Sequence, residues 1–278
     1  MIQPTLQKKL EESPDFRKLS FFSDQGGKVV VYSHCSATVG ELPEGFKEYP
    51  MFPGIDPENI KGKSFDTMAI DIHEVEDGKI KKTWHIKDWL TALEQLLGKP
   101  RHNLDRPILF EKGEPITEIP WSIPFYYDTI LHDFSAKAKD LALLKKVLTD
   151  DFNMCPNPLD PTKDSGPGVE GFKAFCSLTA SLIPDFKFER RLTLLFGDRI
   201  TLMSKLSGTI TNIEGFSELP MFPGIPSEKL LGKKFDMRAI DIQIIRDGLI
   251  KQEYHIEDWS AALDQMLNGN PPCDFGFD

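Results

Sequence analysis

Hydrophobic and polar residues alternate along two segments, and this pattern predicts antiparallel hairpins. Residues 190–210 read RRLTLLFGDRITLMSKLSGTI and break at Gly197–Asp198. Residues 235–257 read FDMRAIDIQIIRDGLIKQEYHIE, with Asp247–Gly248 at the expected tip. Period-two runs rich in β-branched residues, interrupted by a glycine-containing pair, are typical of two strands and their turn. After the second hairpin, the sequence DWSAALDQML predicts a short helix with Asp258 as its N-cap.

The residues before these hairpins have helical character. Residues 125–152 predict helical structure, the loop 155–168 is rich in proline, glycine and aspartate, and residues 169–182 predict a further helix. Helices therefore come first, followed by an antiparallel meander and a closing helix. This order predicts an α+β fold in which one curved antiparallel sheet wraps against helices.

The chain contains an internal repeat. A shift of 170 places residues 14–98 on residues 184–268 without a gap, with 35 identical residues in 85 positions. Only thirteen residues precede the repeat in the first copy, so that copy is predicted to lack its opening helices. The predicted organisation is an incomplete first repeat at 1–98, a proline-rich linker at 99–124 and a complete second repeat at 125–278.

A histidine and an aspartate recur in the second hairpin of both copies. A two-residue loop at Asp247–Gly248 would pair residues whose numbers sum to 495, and a three-residue loop with a glycine bulge would pair residues that sum to 496. The bulged register places Asp241 opposite His255, and in the first copy Asp71 opposite His85. Isoleucines of the same strands then lie on the other face of the sheet.

Two interpretations of this Asp/His face are open. In one, it is the hydrated side of an antiparallel sheet and each pair is a weak surface ion pair. In the other, the sheet encloses a cavity and each pair is an acid/base couple, in which the carboxylate orients the imidazole. Both copies keep the pair although neighbouring positions differ. Asp88 and Asp258, three residues after each histidine, are expected to cap helices.

Composition narrows the function classes. The net charge of −10 and the pI of about 5.2 argue against nucleic acid or an anionic membrane as the main partner. No apolar run approaches the ~20 residues needed to span a bilayer, and the N-terminal residues resemble no signal peptide. Four scattered cysteines are expected to be reduced thiols, so a cytoplasmic protein is predicted. Nucleotide-binding, zinc-protease and α/β-hydrolase motifs are absent from the sequence.

A family resemblance rests on the second repeat. Residues 224–267, GIPSEKLLGKKFDMRAIDIQIIRDGLIKQEYHIEDWSAALDQML, resemble the C-terminal half of a SnoaL-like polyketide cyclase domain. Residues 70–98 of the first copy, IDIHEVEDGKIKKTWHIKDWLTALEQLLG, are closer still to that pattern. Residues 125–182 are similar to the N-terminal half of the family. The resemblance covers one whole domain and about two-thirds of another.

The resemblance implies the cone fold of nuclear-transport-factor-like proteins, here as two tandem cones, the first without its opening helices. It also implies a metal-free and cofactor-free aldol ring closure, with an aspartate and a histidine on neighbouring strands as catalysts. Carried over by position, the catalytic residues are Asp241 with His255, and Asp71 with His85. In the cyclases the histidine lies on the first strand and the aspartate on the second, and this chain has the reverse order.

The predicted partner is a small apolar molecule that contains or forms a ring. The residues expected to bind it are Met221, Phe222, Gln243, Tyr254 and Trp259. The MFPGI loop, which includes Met221 and Phe222, could instead be a loop plug, and Trp259 an anchor for the last helix. The alternative function is a non-catalytic ligand-binding or scaffold protein, with pairing of sheet faces between subunits. A third possibility is that the chain has one active cone, formed by the second repeat, and that the first repeat only packs against it.

Overall fold

The N-terminal half of the chain forms a four-stranded antiparallel sheet. A computed structural model describes residues 20–23, 26–98, 115–155 and 168–272. The sheet has the order β1-β2-β3-β4. Its strands are β1 (Ser20–Ser23), β2 (Lys28–Thr38), β3 (Ser64–Glu76) and β4 (Lys79–Lys87). A 3₁₀ turn (Pro57–Asn59) lies between β2 and β3, and helix α1 (Trp89–Leu96) follows β4.

The C-terminal half forms a five-stranded sheet of mixed direction, with the order β5-β9-β8-β7-β6. Its strands are β5 (Leu148–Cys155), β6 (Lys187–Phe196), β7 (Arg199–Thr209), β8 (Lys234–Arg246) and β9 (Leu249–Glu257). Strand β5 runs parallel to β9. The prediction of helical character through residue 152, and of a purely antiparallel sheet, was wrong here, because pairing with the distant β9 draws residues 148–155 into the sheet.

Helices cover one face of the C-terminal sheet. They are α2 (Ser122–Phe125), which continues as a π-helical turn (Tyr126–Leu131), then α3 (Phe134–Lys137), α4 (Leu141–Leu144), α5 (Gly168–Leu182) and the closing α6 (Trp259–Asn268). A second 3₁₀ turn spans Ser227–Lys229. Ile130, Phe172 and Leu182 of the helices share a buried cluster with Leu202 and Ile250 of the strands. Asp88 and Asp258 accept hydrogen bonds from Thr91 N and Ala261 N, which confirms both predicted N-caps.

The register of the long hairpins is the one predicted, although the turn differs. Asp247 and Gly248 form a two-residue loop with φ of 52° and 77°, the left-handed conformation that such tight turns require. A bulge between Ile244 and Ile245 then shifts the pairing by one residue. Beyond the bulge Asp241 lies opposite His255. The three-residue loop was wrong, and the displaced bulge produces the same register.

The two sheets pack face to face through their apolar sides. The shared buried cluster takes residues from both sheets: Val30, Tyr32, Met68, Ile70, Ile72, Trp84 and Ile86 from the first, and Leu194, Phe196, Met203, Ile240, Ile242, Ile244, Tyr254 and Ile256 from the second. The rings of Tyr32 and Tyr254 lie 5.4 Å apart. The apolar faces of the two sheets are thus buried within one chain.

Reciprocal loop contacts accompany this packing. A Cβ atom placed on Gly54 would lie 2.8 Å from Leu267 Cδ1, and one placed on Gly224 would lie 2.8 Å from Leu97 Cδ1. Each MFPGI loop therefore contacts the end of the closing helix that belongs to the other half. Two equivalent contacts of this kind are typical of an interface with two-fold symmetry. In this protein both sides of the interface belong to one chain.

Truncating an isoleucine in this interface is expected to be costly. Ile242 is 2% exposed, and Ile242→Ala should lower the free energy of unfolding by about 2–5 kcal/mol, because it removes buried apolar surface and leaves a cavity. Ile80 is 61% exposed, so Ile80→Ala should change the stability by less than about 0.5 kcal/mol. Urea unfolding of both variants checks this, and equal effects would contradict the packing described.

Candidate active site

The second Asp/His pair lies inside the helix-covered side of the C-terminal sheet. His255 Nδ1 and Asp241 Oδ1 form a short hydrogen bond between β9 and β8. The Asp241 side chain is fully buried and that of His255 is 8% exposed. The alternation of β8 produces this placement, because Ile240 and Ile242 face the other sheet and Asp241 between them faces the helices.

The other imidazole nitrogen also meets a carboxylate. His255 Nε2 lies 3.0 Å from Glu257 Oε1, and Trp259 Nε1 donates a hydrogen bond of 2.6 Å to Glu257 Oε2. Glu257 is thereby fixed between the imidazole and the indole. With a carboxylate at each ring nitrogen, His255 is arranged to be doubly protonated, since both nitrogens of an imidazolium are donors.

The surroundings of His255 have opposing effects on its pKa. Burial alone lowers the pKa, because it disfavours the charged ring. The charges of Asp241 and Glu257, and the hydrogen bonds to them, raise it. The attraction prevails, and the pKa of His255 lies well above its ordinary value of 6.5. The protonated form of the ring is thereby favoured.

A third acidic residue, Glu253, completes the cluster. Its carboxyl lies 3.8 Å from His255 Nδ1 and accepts a hydrogen bond of 3.2 Å from Gln243 Nε2. The same amide nitrogen donates to Tyr127 Oη at 2.9 Å. Burial raises the pKa of Glu253 well above 4.5, and the charge of Asp241 raises it further, whereas the charge of His255 lowers it. Burial and the charge of Asp241 thus favour the neutral form of Glu253.

A cavity adjoins this cluster. Its polar wall is formed by Glu253, His255, Glu257 and Thr179. Its apolar wall comprises Tyr126, Leu131, Phe134, Met154, Phe172, Phe175, Phe186, Phe188, Met221 and Trp259. The space open to the centre of a water molecule is about 20 Å³, enough for a water or two. A larger occupant requires wall side chains to move, and the flexible Met154 and Met221 are the most adaptable.

The predicted ligand-binding residues separate into two groups. Met221 and Trp259 lie in the cavity wall. Phe222 is fully buried and packs edge-on against Trp259, with ring centroids 5.1 Å apart, and Gln243 holds Tyr127 and Glu253; neither residue is in the wall. Tyr254 requires a correction. It lies between the two sheets against Tyr32, because its position on β9 faces away from the helices.

The first Asp/His pair has the same register and a different environment. Asp71 lies opposite His85, and His85 Nδ1 is 2.5 Å from Asp71 Oδ1. The His85 side chain is 43% exposed and that of Asp71 is 17% exposed. At the positions equivalent to Glu253 and Glu257, this half of the chain has Thr83 and Lys87. The acidic cluster around the imidazole is therefore a feature of the second pair.

The cluster also contains a set of groups that could hold a metal ion. Ligand atoms of Asp241, Glu253 and His255 lie within 4.8 Å of one another. Two carboxylates and one imidazole suit a divalent transition metal. In the structure, however, His255 Nδ1 and Asp241 Oδ1 bond directly to each other, so the atoms that such an ion needs are engaged.

Comparison with known proteins finds a family match in the C-terminal part of the chain. Residues 129–266 match the family model of SnoaL-like polyketide cyclases. The match begins in the π-helical turn and ends in α6, so it includes β5 to β9 and the His255 cluster. A search of curated proteins finds no match.

Solved structures with this fold resemble about half of the chain. TsrD from Streptomyces laurentii is 23% identical, with 54% of this chain and 96% of that chain covered and a TM-score of 0.41. IdmH from Streptomyces antibioticus, titled a putative polyketide cyclase, is 22% identical, with 52% and 95% covered and a TM-score of 0.40. A protein from Jannaschia sp., described as a putative SnoaL-like polyketide cyclase, is 16% identical, with 57% and 100% covered and a TM-score of 0.42.

The sequence did not reveal several residues that surround His255. Glu253 and Glu257 were passed over because they differ from Thr83 and Lys87 in the other copy. Tyr127 comes from a π-helical turn, which no periodicity in the sequence indicates. Among the described residues, no helix is long and apolar enough to cross a membrane.

Proposed function

We propose that the SnoaL-like part binds a small, largely apolar molecule that contains or forms a ring, and moves a proton to or from it without a cofactor. His255, held by Asp241, is the central acid/base group. The reaction class is enolisation of a carbonyl compound, as in an aldol-type ring closure. The supporting observation is a buried imidazole with a carboxylate at each nitrogen, at the wall of an aromatic cavity.

The physical argument rests on the burial of His255. An imidazolium in a water-poor cavity attracts negative charge more strongly than one in water, so it favours the enolate that forms when a ketone loses an α-proton. Asp241 fixes the ring and Glu257 fixes the other nitrogen, which limits the reorganisation needed during the reaction. The α-proton cannot go to the imidazolium, because both of its nitrogens are already protonated. The carboxylate of Glu257 lines the cavity beside His255 Nε2 and can take up this proton and return it.

We also propose that residues 1–98 are an incomplete copy of the same domain and act as its packing partner. The repeat at a spacing of 170, the matched hairpin registers and the reciprocal loop contacts support this. Asp71 and His85 then persist as inherited strand contacts, because their half-exposed pair lacks a sheltered cavity. Among the described residues, the chain thus has one sheltered Asp/His site.

Hydrogen–deuterium exchange tests the proposed chemistry without knowledge of the natural substrate. Small aryl and cyclic ketones, such as acetophenone and 2-tetralone, are incubated with the protein in D₂O, and loss of the α-proton signal is followed by proton NMR. We expect exchange above the buffer rate for at least one ketone, and binding that raises the melting temperature. If no ketone exchanges, but one still stabilises the protein, the non-catalytic ligand-binding alternative is favoured. If none exchanges or binds, the scaffold function replaces both.

A further inference from the structure

Glu253 is a buried acidic residue in the cavity wall. It is 3% exposed and lies on β9 opposite Gln243. The polar and titratable groups that interact with it lie on several elements. They are Asp241 and Gln243 on β8, His255 on β9, Tyr126 and Tyr127 in the π-helical turn, and Cys176 on α5. The cavity wall contains no lysine or arginine to pair with an ionised Glu253.

Asp241 is the hydrogen-bond acceptor for a proton on Glu253. Asp241 Oδ1 is bonded to His255, whereas Asp241 Oδ2 is buried, and the side chains that can donate a hydrogen bond to Asp241 from the other side are Tyr127 and a protonated Glu253. A buried carboxylate oxygen without a donor is costly. A proton on Glu253 supplies a second donor to Asp241 besides the Tyr127 hydroxyl, because a carboxylic acid can donate to a neighbouring carboxylate. The hydrogen bond between Glu253 and Asp241 raises the pKa of Glu253 accordingly.

Gln243 fixes Glu253 in this role. Its amide nitrogen donates to Glu253 Oε2 at 3.2 Å and to Tyr127 Oη at 2.9 Å, so one carboxyl oxygen of Glu253 already accepts a hydrogen bond. The other oxygen, Oε1, lies 3.8 Å from His255 Nδ1, too far for a hydrogen bond. This oxygen is left to carry the proton and to donate it.

We propose that Glu253 is a neutral acid that donates its O–H to an oxygen of the ligand, and that the site therefore selects an uncharged ligand with a carbonyl group. This inference rests on the proposed small-molecule function and adds its ligand class. On binding, the proton of Glu253 exchanges one acceptor, Asp241, for another, the carbonyl oxygen. A carboxylate ligand would instead meet the charges of Asp241 and Glu257, and an ammonium ligand would require Glu253 to ionise.

Three probes of matched size test the ligand class. Acetophenone, benzoate and 1-phenylethylamine share a phenyl ring and differ in the group beside it. We expect calorimetry to detect binding of acetophenone, with benzoate and the amine at least about tenfold weaker, the effect of one hydrogen bond or more. Equal binding of all three, or preference for the amine, would overturn the inference, since the amine would indicate an ionised Glu253.

Variants of Glu253 separate hydrogen-bond donation from a structural role. Glu253→Gln keeps a donor and should bind acetophenone within about threefold of wild type, whereas Glu253→Ala should lose about tenfold. In wild type the affinity should fall as the pH rises through the pKa of Glu253, and in Glu253→Gln this fall should vanish. Thr83→Val, at the equivalent position of the N-terminal sheet, should bind like wild type. Equal affinities of the Gln and Ala variants would contradict donation.

Infrared spectroscopy tests the state of Glu253 without any ligand. The difference spectrum of wild type minus Glu253→Gln at pH 7 should contain the carbonyl stretch of a protonated carboxyl. Its absence overturns the inference and leaves the proposed proton transfer at His255 standing. If the band is present but the protein binds no ketone, Glu253 is neutral and the small-molecule function is wrong. The proposed ligand class is then wrong as well.

Discussion

His255→Gln should slow the exchange of ketone α-protons by about 10²–10⁴-fold, the usual contribution of a positioned acid/base group. Glutamine keeps a polar side chain of similar length, but its amide does not carry the positive charge of the imidazolium. The enolate would then face Asp241 and Glu257 without a cation between them. The exchange rate measured by NMR in D₂O, for wild type and variant at equal concentration, checks this.

His85→Gln is the matched control for that experiment. The substitution is the same, and His85 has the equivalent position in its hairpin and an equivalent aspartate partner, Asp71. Because its side chain is half-exposed, we expect the exchange rate to stay within about twofold of wild type. Circular dichroism shows whether each variant is folded. Equal losses in both variants, or no loss in His255→Gln, would contradict the assignment of the site to the C-terminal sheet.

Stability should fall as the pH rises from about 4.5 into the alkaline range, the reverse of ordinary acid denaturation. Glu253 has an unfolded-state pKa near 4.5 and His255 one near 6.5, and both pKa values are raised in the folded protein. The folded state therefore binds these protons more tightly than the unfolded state does. Their contribution is fully present below the unfolded pKa and is lost as the pH passes the folded pKa.

The size of the effect follows from linkage. Each unit by which a folded pKa exceeds the unfolded value adds about 1.4 kcal/mol to the stability at low pH. Burial also raises the pKa values of the two capping residues, Asp88 and Asp258, with the same sign. Urea unfolding between pH 4.5 and 9 measures the slope, and Glu253→Gln should flatten its acidic part. A stability that rises over this range would contradict the raised pKa values.

The hairpin register could be predicted from the sequence because it depends on local features. Alternation, an Asp-Gly tip and the need to bury isoleucine together placed Asp241 opposite His255 and Asp71 opposite His85. The type of turn was wrong, since a bulge three residues from a tip leaves no sign in the sequence. Strand β5 was missed because parallel pairing with β9 is a long-range contact.

The candidate site could be predicted only in part, because the comparison of the two copies favours residues that both retain. The residues that set the two sites apart are those that differ, Glu253 against Thr83 and Glu257 against Lys87. Burial separates the sites as well, and it depends on which face of each sheet the helices cover. Tyr254 was assigned to the ligand although its strand position places it between the sheets.

Histidine side-chain NMR on selectively labelled protein tests the central claim most directly, namely that the one ligand site lies at His255. Acetophenone is added in steps while the imidazole signals of His255 and His85 are followed, with the two histidine variants providing the assignments. The account predicts a saturable shift of the His255 signals and unchanged His85 signals. A shift of His85 alone, or of neither histidine at ketone concentrations that stabilise the protein, would contradict it.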